Sequence, residues 1–362
     1  MCIRDRNNTG KNLFASVQAE DELAAIGMAI GANWNGARGF TATSGPGISL
    51  MSEFLGLAYF AEIPLVLFNV QRGGPSTGMP TRTQQSDVLA CAYASHGDTK
   101  HVVLFPSDPK ECFDFSAQAF DLADQLQTPI FVVSDLDMGM NDWVCDKFKW
   151  DDEYKYNRGK VLNKDDLDEI ENFGRYLDVD NDGICYRTYP GTHPEKGAFF
   201  TRGTSHDEYA RYTEDGEVNA ATLSRLMKKF RTASELVPEP VIEINGKDSC
   251  GVIFYGSTSP AVHEAKDILK EKEINIDLMQ IRSFPFNLDV WEFIANHDRI
   301  YVVEQNRDSQ MRTLIMAEGG ISPEILRPLV HFTGDPIQAS YIVNKISERE
   351  VNYKSHINAK KR

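Results

Sequence analysis

Thr41-Ala42-Thr43-Ser44-Gly45-Pro46-Gly47 and, further on, Gln71-Arg72-Gly73-Gly74-Pro75-Ser76-Thr77-Gly78 decide how this chain folds. Each run follows a short apolar segment and is built from small, flexible or hydroxyl-bearing residues. Between them lie an apolar helical pattern, Ile48 to Ala61, and a strand-like run, Pro64 to Val70. The order is strand, loop, helix, strand, loop. In an open α/β sheet this sets both loops at the carboxyl ends of neighbouring strands, where ligands bind. An Arg in one loop and a backbone-rich turn in the other suit a small anion.

Outward from these loops the alternation continues. Leu13 to Val17 reads as a short strand and Gly39 to Thr43 as another. From Glu20 the pattern is helical, with Leu23, Ile26, Gly27 and Ile30 on one face. Pro64 to Val70 is continuous enough for a strand buried on both sides. A helical stretch near Asp87 to Ala94, strand His101–Phe105, helix Pro109–Leu126 and strand Pro129–Ser134 follow. Alternating units of this kind form a parallel, doubly covered sheet. We divide the chain into an α/β domain over 1–143, an extended arm over 144–246 and a second α/β domain over 247–362.

The arm is aromatic, charged and glycine-rich, with a helical period only over Ala220–Thr232. The second domain reads as strand Gly251–Tyr255, helix Ser259–Glu271, strand Ile274–Met279, a helix near Leu288–Asn296 and strand Arg299–Glu304. A helix from Asp308 and a β–α pair over Leu329 to Ile346 complete it. Ser259 is expected to cap its helix.

Composition narrows the function. The chain has 362 residues, 38 basic against 53 acidic, for a net charge of −15, which disfavours nucleic acid or an anionic membrane as main partner. No apolar run reaches the roughly 18 residues of a membrane span. Cys2, Cys91, Cys112, Cys145, Cys185 and Cys250 contain no Cys-x-x-Cys pair. They read as reduced thiols of a cytoplasmic protein, without the ligand set of an iron–sulfur cluster. Met1 to Arg6 is a charged scrap unlike a targeting peptide.

With the loops placed on parallel strands, the chain resembles the α subunit of a 2-oxoacid:ferredoxin oxidoreductase, the 2-oxoglutarate type best. The resemblance runs from Val17 to about Asn344. It rests on Gln18-Ala19-Glu20-Asp21-Glu22, Thr41 to Gly47, Gln71 through Thr81, Ser134-Asp135-Leu136-Asp137 and Asn141-Asp142-Trp143. It implies a thiamine-pyrimidine-binding α/β domain followed by a transketolase C-terminal-like α/β domain. It also implies thiamine-dependent conversion of a 2-oxoacid to an acyl-CoA, with coenzyme A as co-substrate and ferredoxin as electron acceptor. A separate β subunit would hold the diphosphate, its Mg2+ and an iron–sulfur cluster, in a hetero-oligomer of paired αβ units. The absence here of a Gly-Asp-Gly diphosphate motif agrees with that division.

The resemblance assigns roles residue by residue. Thiamine chemistry needs an acid beside the pyrimidine nitrogen, and a buried Glu with a raised pKa suits the task. Glu20 is the candidate, with Asp21 and Glu22 as rivals; all three equally complement a helix dipole. Thr43, Ser44 and Gly45 would address the cofactor ring, and Ser44 the substrate as well. Arg72 would grip the 2-oxoacid carboxylate bidentately, or form an interface salt bridge. Ser76 and Thr77 are weaker candidates, Thr77 for substrate contact.

Complete members of the family begin the pyrimidine domain with a further strand and a Tyr-Pro-Ile-Thr-Pro turn, many behind a fused γ domain. Neither stands here, so the chain is expected to begin partway through a domain and to be inactive alone. Asp178-Val179-Asp180-Asn181-Asp182-Gly183 copies the start of a calcium loop, but Tyr189 holds the position of the bidentate Glu, which favours a solvated turn. No metal site is assigned. Arg202-Gly203-Thr204-Ser205-His206 suits an interface or a coenzyme A contact. A paralogue acting on pyruvate or a branched 2-oxoacid, and a non-catalytic assembly subunit, are the competing readings.

Overall fold

The computed structural model describes residues 14–246 and 249–360. Cys2, the Met1–Arg6 segment and Leu13 lie outside the described residues. In chain order the first part holds α1 (Glu22–Trp34), β1 (Phe40–Thr43), α2 (Gly45–Leu50), α3 (Ser52–Phe60), β2 (Leu65–Gln71), α4 (Val88–Ala92), β3 (Val102–Leu104), α5 (Pro109–Leu126), β4 (Pro129–Asp135) and α6 (Leu136–Met140). Next come α7 (Lys164–Glu169), α8 (Gly216–Ala233) and β5 (Val241–Glu243). The last part holds β6 (Cys250–Tyr255), α9 (Ser259–Glu271), β7 (Ile276–Ile281), β8 (Ser283–Phe284), α10 (Leu288–Ala295), β9 (Ile300–Glu304), α11 (Gln310–Gly319), β10 (Leu326–Val330) and α12 (Ala339–Lys360).

Two five-stranded sheets organise these elements, in the orders β1-β2-β4-β3-β8 and β10-β9-β6-β7-β5. Four strands of each run parallel, and one antiparallel strand closes an edge of each: β8 against β3, β5 against β7. The fold is mixed α/β with two mainly parallel sheets, as the alternation dictates. The sheets exchange edges, because β8 follows β7 of the second sheet yet pairs with the first. One core lies between the sheets, with Leu67, Val103 and Phe131 from one and Ile253, Met279 and Val302 from the other. The outer face of the first sheet packs on α5, with Ile184, Ala233 and Val237. The outer face of the second packs on α9 and α12.

Several expectations need correcting. Residues 15–19 form no strand. The single helix expected over Ile48–Ala61 is two, α2 and α3, meeting at Met51. Ser259 is not a cap but the first residue of α9, where Thr258 is the flanking residue and makes no side-chain capping bond. A 3₁₀ turn over Gly256–Thr258 carries the chain into that helix, so Pro260 falls in the first turn, where its missing N–H costs nothing. Helix α5 has the predicted limits, because the Asp108 side chain caps the Glu111 N–H at 2.7 Å and Gln127 ends it in the left-handed region.

The 144–246 segment has little regular structure but is anchored by buried side chains, among them Leu167, Tyr176, Cys185, Leu226 and Phe230. Its Asp178–Gly183 loop is held by lysines. Lys160 Nζ bonds Asp180 at 2.7 Å and Asp182 at 2.8 Å, and Lys228 bonds Asn181. Asp178 accepts the backbone N–H groups of Asp182 and Gly183, both at 3.0 Å. An ammonium thus occupies the concavity that a cation would need, and among the described residues no group of His, Cys, Asp and Glu is arranged to hold a metal ion. No described helix is long and apolar enough to cross a membrane.

Candidate active site

Strands β1 and β2 are parallel neighbours in register, with Thr43 beside Asn69. Both carry their loops from the same end of the sheet. At the end of β1 the backbone of Ser44 is extended, and its carbonyl accepts the N–H groups of Gly47 at 2.9 Å and Ile48 at 3.1 Å, which starts α2. Two glycines are needed for close approach. A Cβ on Gly47 would run into Thr43 Oγ1, and one on Gly45 would stand 2.7 Å from Asp87 Oδ1.

In the sequence Asp87 marks only the start of a helical stretch. It makes no side-chain capping bond. Its carboxylate instead lies under the β1 loop and accepts Asn69 Nδ2 at 3.1 Å, while its N–H donates to Gln71 Oε1 at 2.9 Å. Burial pushes this carboxyl above the ordinary aspartate range; Asn69 and the charge of Arg72 oppose the rise. Asn69 and Gln71 alternate along β2 and face the same side of the sheet. A polar strand end, Asn69-x-Gln71, inside an otherwise apolar run was the signal available for this cluster.

Arg72 follows β2 and is half-buried. Its Nε is shielded from solvent and has no acceptor among the described residues. Beyond it the loop closes on itself: Gly73 N donates to Arg82 O at 2.9 Å and Met79 N to Gly73 O at 2.7 Å. Thr77 and Ser76 are exposed in this loop. The structure thus brings Thr43, Ser44, Gly45 and Arg72 to one edge and leaves Thr77 on the rim.

The three acids at the start of α1 separate. Asp21 is the N-cap and accepts the Ala24 N–H at 2.8 Å. Glu22 lies in the first turn, its Cγ 3.1 Å from the Cβ position of Gly47. Glu20 stands ahead of the helix and is exposed. The burial expected of it is not found among the described residues.

A buried polar network beneath the site joins the two sheets. Ser257 Oγ donates to Asp135 Oδ2 at 2.5 Å and Gln85 Nε2 donates to the same oxygen at 3.2 Å. Gln305 Nε2 donates to Ser257 Oγ at 3.1 Å, and Asn306 Nδ2 to Gln85 O at 3.0 Å. Asp135 also caps α6 through the Met138 N–H. Burial raises the pKa of Asp135, and burial together with that neighbour lifts Asp137 to about 6. The network anchors Asp135 at the end of β4, opposite Gln71 of β2 in the parallel register.

Comparison with known proteins follows the same lines. The family model "Pyruvate flavodoxin/ferredoxin oxidoreductase, thiamine diP-bdg" matches residues 4–145. The α subunit of 2-oxoacid:ferredoxin oxidoreductase 2 from Aeropyrum pernix is 33% identical over 343 residues, covering 93% of this chain and 52% of that protein. The 2-oxoglutarate synthase subunit KorA from Methanothermobacter thermautotrophicus is 32% identical over 326 residues, 87% of this chain and 81% of that one. The chain therefore spans about half the length of the first relative and most of the second. Among solved structures, the 2-oxoglutarate:ferredoxin oxidoreductase from Magnetococcus marinus, with 2-oxoglutarate, coenzyme A and succinyl-CoA bound, superposes with a TM-score of 0.82. It is 29% identical and covers 92% of this chain and 56% of its own.

Proposed function

Since the chain belongs to the α-subunit family of the 2-oxoacid:ferredoxin oxidoreductases, we propose that it oxidises 2-oxoglutarate to succinyl-CoA in complex with a β subunit. Carbon dioxide is released and the electrons pass to ferredoxin. Thiamine diphosphate, when bound, would supply carbon-nucleophile chemistry for the 2-oxo group. The β subunit would hold the diphosphate, Mg2+ and an iron–sulfur cluster, and coenzyme A would take the acyl group. A cytoplasmic complex of paired αβ units fits the chain's acidic balance and the free cysteines among its described residues.

The residues present fit the cofactor's pyrimidine. Thr43 and Ser44 offer hydroxyl and backbone groups at the end of β1. Glu20 offers a carboxylate two residues ahead of Glu22, whose side chain lies on Gly47. Glu20 would hold a proton at the pyrimidine nitrogen, with its burial completed by the β subunit. Ser44 and Thr77 would contact the substrate, Thr77 once its loop is covered.

The observation that carries the reading is Arg72, whose buried Nε lacks an acceptor at this edge of the sheet. A guanidinium with a donor still unmatched suits a carboxylate in bidentate geometry. The test is steady-state oxidation of 2-oxoglutarate and pyruvate by the full-length α chain with its β subunit, wild type against Arg72→Met. The variant should lose about 10–100-fold in kcat/KM for 2-oxoglutarate, the worth of a charged hydrogen bond. Preference for pyruvate would move the assignment to a paralogue; unchanged kinetics would remove Arg72 from the substrate.

A further inference from the structure

Buried charge ties the 144–246 segment to the first sheet. Glu62, whose side chain is fully buried, pairs with Arg225 at 2.5 Å and Lys229 at 2.8 Å. Asp124 takes Arg38 at 2.9 Å, Arg158 at 3.3 Å and Arg187 at 2.7 Å, and Asp121 also takes Arg38. Arg175 joins this group. Its Nη2 donates to the Glu62 carbonyl at 2.9 Å, and its guanidinium lies over the rings of Tyr176 and Phe199. Six cations thus gather around three carboxylates. In a chain of net charge −15, this is a local surplus of the opposite sign, and buried charge is stable only when it is matched.

Two of these arginines face a common space. Arg175 and Arg187, 3% and 4% exposed, line a void of about 20 Å³ beside Trp34, Glu62 and Phe199. Nε and Nη1 of Arg175 and Nε of Arg187 are buried with no acceptor among the described residues. Buried donors of this kind are rarely left unmatched. The space is sized for a single small particle, a water or a monatomic anion. A water would satisfy N–H groups without offsetting the charge, whereas an anion does both. The void shares the walls Trp34, Thr188, Tyr189 and Phe199 with a pocket of about 270 Å³ whose lining includes exposed Gly191.

We propose that Arg175 and Arg187 form a binding site for one halide-sized anion, chloride in the cell, which clamps the 144–246 segment onto the first sheet. The anion accepts N–H bonds from both guanidinium groups and supplies the counter-charge that the three carboxylates leave short. The site lies on the turn between α3 and β2, away from the Thr43 and Arg72 loops, and its occupancy is independent of the catalytic assignment.

The test is a crystal of the full chain in bromide, read by anomalous scattering. An anomalous peak within hydrogen-bonding distance of Arg175 and Arg187 is expected. In Arg175→Gln that peak should vanish while surface bromides persist. In solution, replacing chloride by gluconate should lower the wild-type Tm saturably and leave Arg175→Gln unmoved. No bromide in the wild-type void, with bromide bound elsewhere on the chain, overturns the proposal, whatever the variant does. So does an equal chloride dependence in both proteins.

Discussion

The carboxylate of Asp87 lies against the backbone of Gly45, so close that a Cβ there would stand 2.7 Å from Oδ1. The loop after β1 and the polar end of β2 are therefore one unit. The β1 turn can sit low over the sheet only because residue 45 has no side chain, and Asp87 fills the space beneath it. Gly45→Ala should force the two apart at a cost of about 1–3 kcal/mol, the usual penalty of overpacking. Urea unfolding of the single variant and of the double variant with Asp87→Ala checks this. The second change should return part of the loss.

The Glu62 cluster makes a larger prediction. Glu62→Gln leaves Arg225 and Lys229 buried against a neutral amide, and removing one partner of a buried pair costs about 3–5 kcal/mol. Burial opposes ionisation of Glu62, but Arg225 and Lys229 outweigh it and hold the carboxyl well below the usual range. A depressed folded pKa stabilises the fold above the unfolded value. That stability is lost as pH falls below about 4.5 toward the folded pKa. Denaturation profiles of wild type and variant should converge in acid and diverge near neutrality.

His101 gives an acid sensitivity of separate origin. It is fully buried, with Nε2 2.9 Å from the Ala94 carbonyl and the rings of Tyr59 and Phe131 against it. Burial pulls its pKa down from 6.5 to about 4, although the carbonyl opposes the shift. The unfolded chain takes up this proton at a higher pH than the native chain. Stability is therefore full above about 6.5 and falls as pH drops toward 4, by about 3 kcal/mol in all. His101→Gln keeps a donor for Ala94 and should flatten this slope. Comparing urea midpoints near pH 7 and pH 5 measures it.

Much of this architecture was legible because it is local. The Pro64–Val70 run has the continuous apolar character of a doubly covered strand. Asp108 and Gln127 punctuate α5 at both ends. The small and hydroxyl-bearing residues of Thr41–Gly47 marked a strand-to-helix turn that the structure contains. Long-range partners carry no such signature. Asp87 marks only the start of a helical stretch until β1 is laid over it, and nothing beside Glu62 in the sequence announces Arg225 from α8. The sequence offered no break in Ile48–Ala61, where the helix parts at Met51 with neither glycine nor proline. Nor did it reveal that Asp135 would be bonded by Ser257 from the second sheet. Glu20 stands exposed ahead of α1 among the described residues, which its place before a helix did not announce.

Glu20 carries the heaviest chemical role proposed for this chain. The measurement is thiamine-dependent oxidation of 2-oxoglutarate by the full-length α chain with its β subunit, comparing wild type with Glu20→Gln and Glu22→Gln. Assembly is followed in parallel by size-exclusion chromatography. An intact complex is expected in which kcat collapses in Glu20→Gln, by about 100-fold or more as for the loss of a general acid, and largely survives in Glu22→Gln. Full activity in Glu20→Gln, or collapse in Glu22→Gln alone, would remove Glu20 from the chemistry.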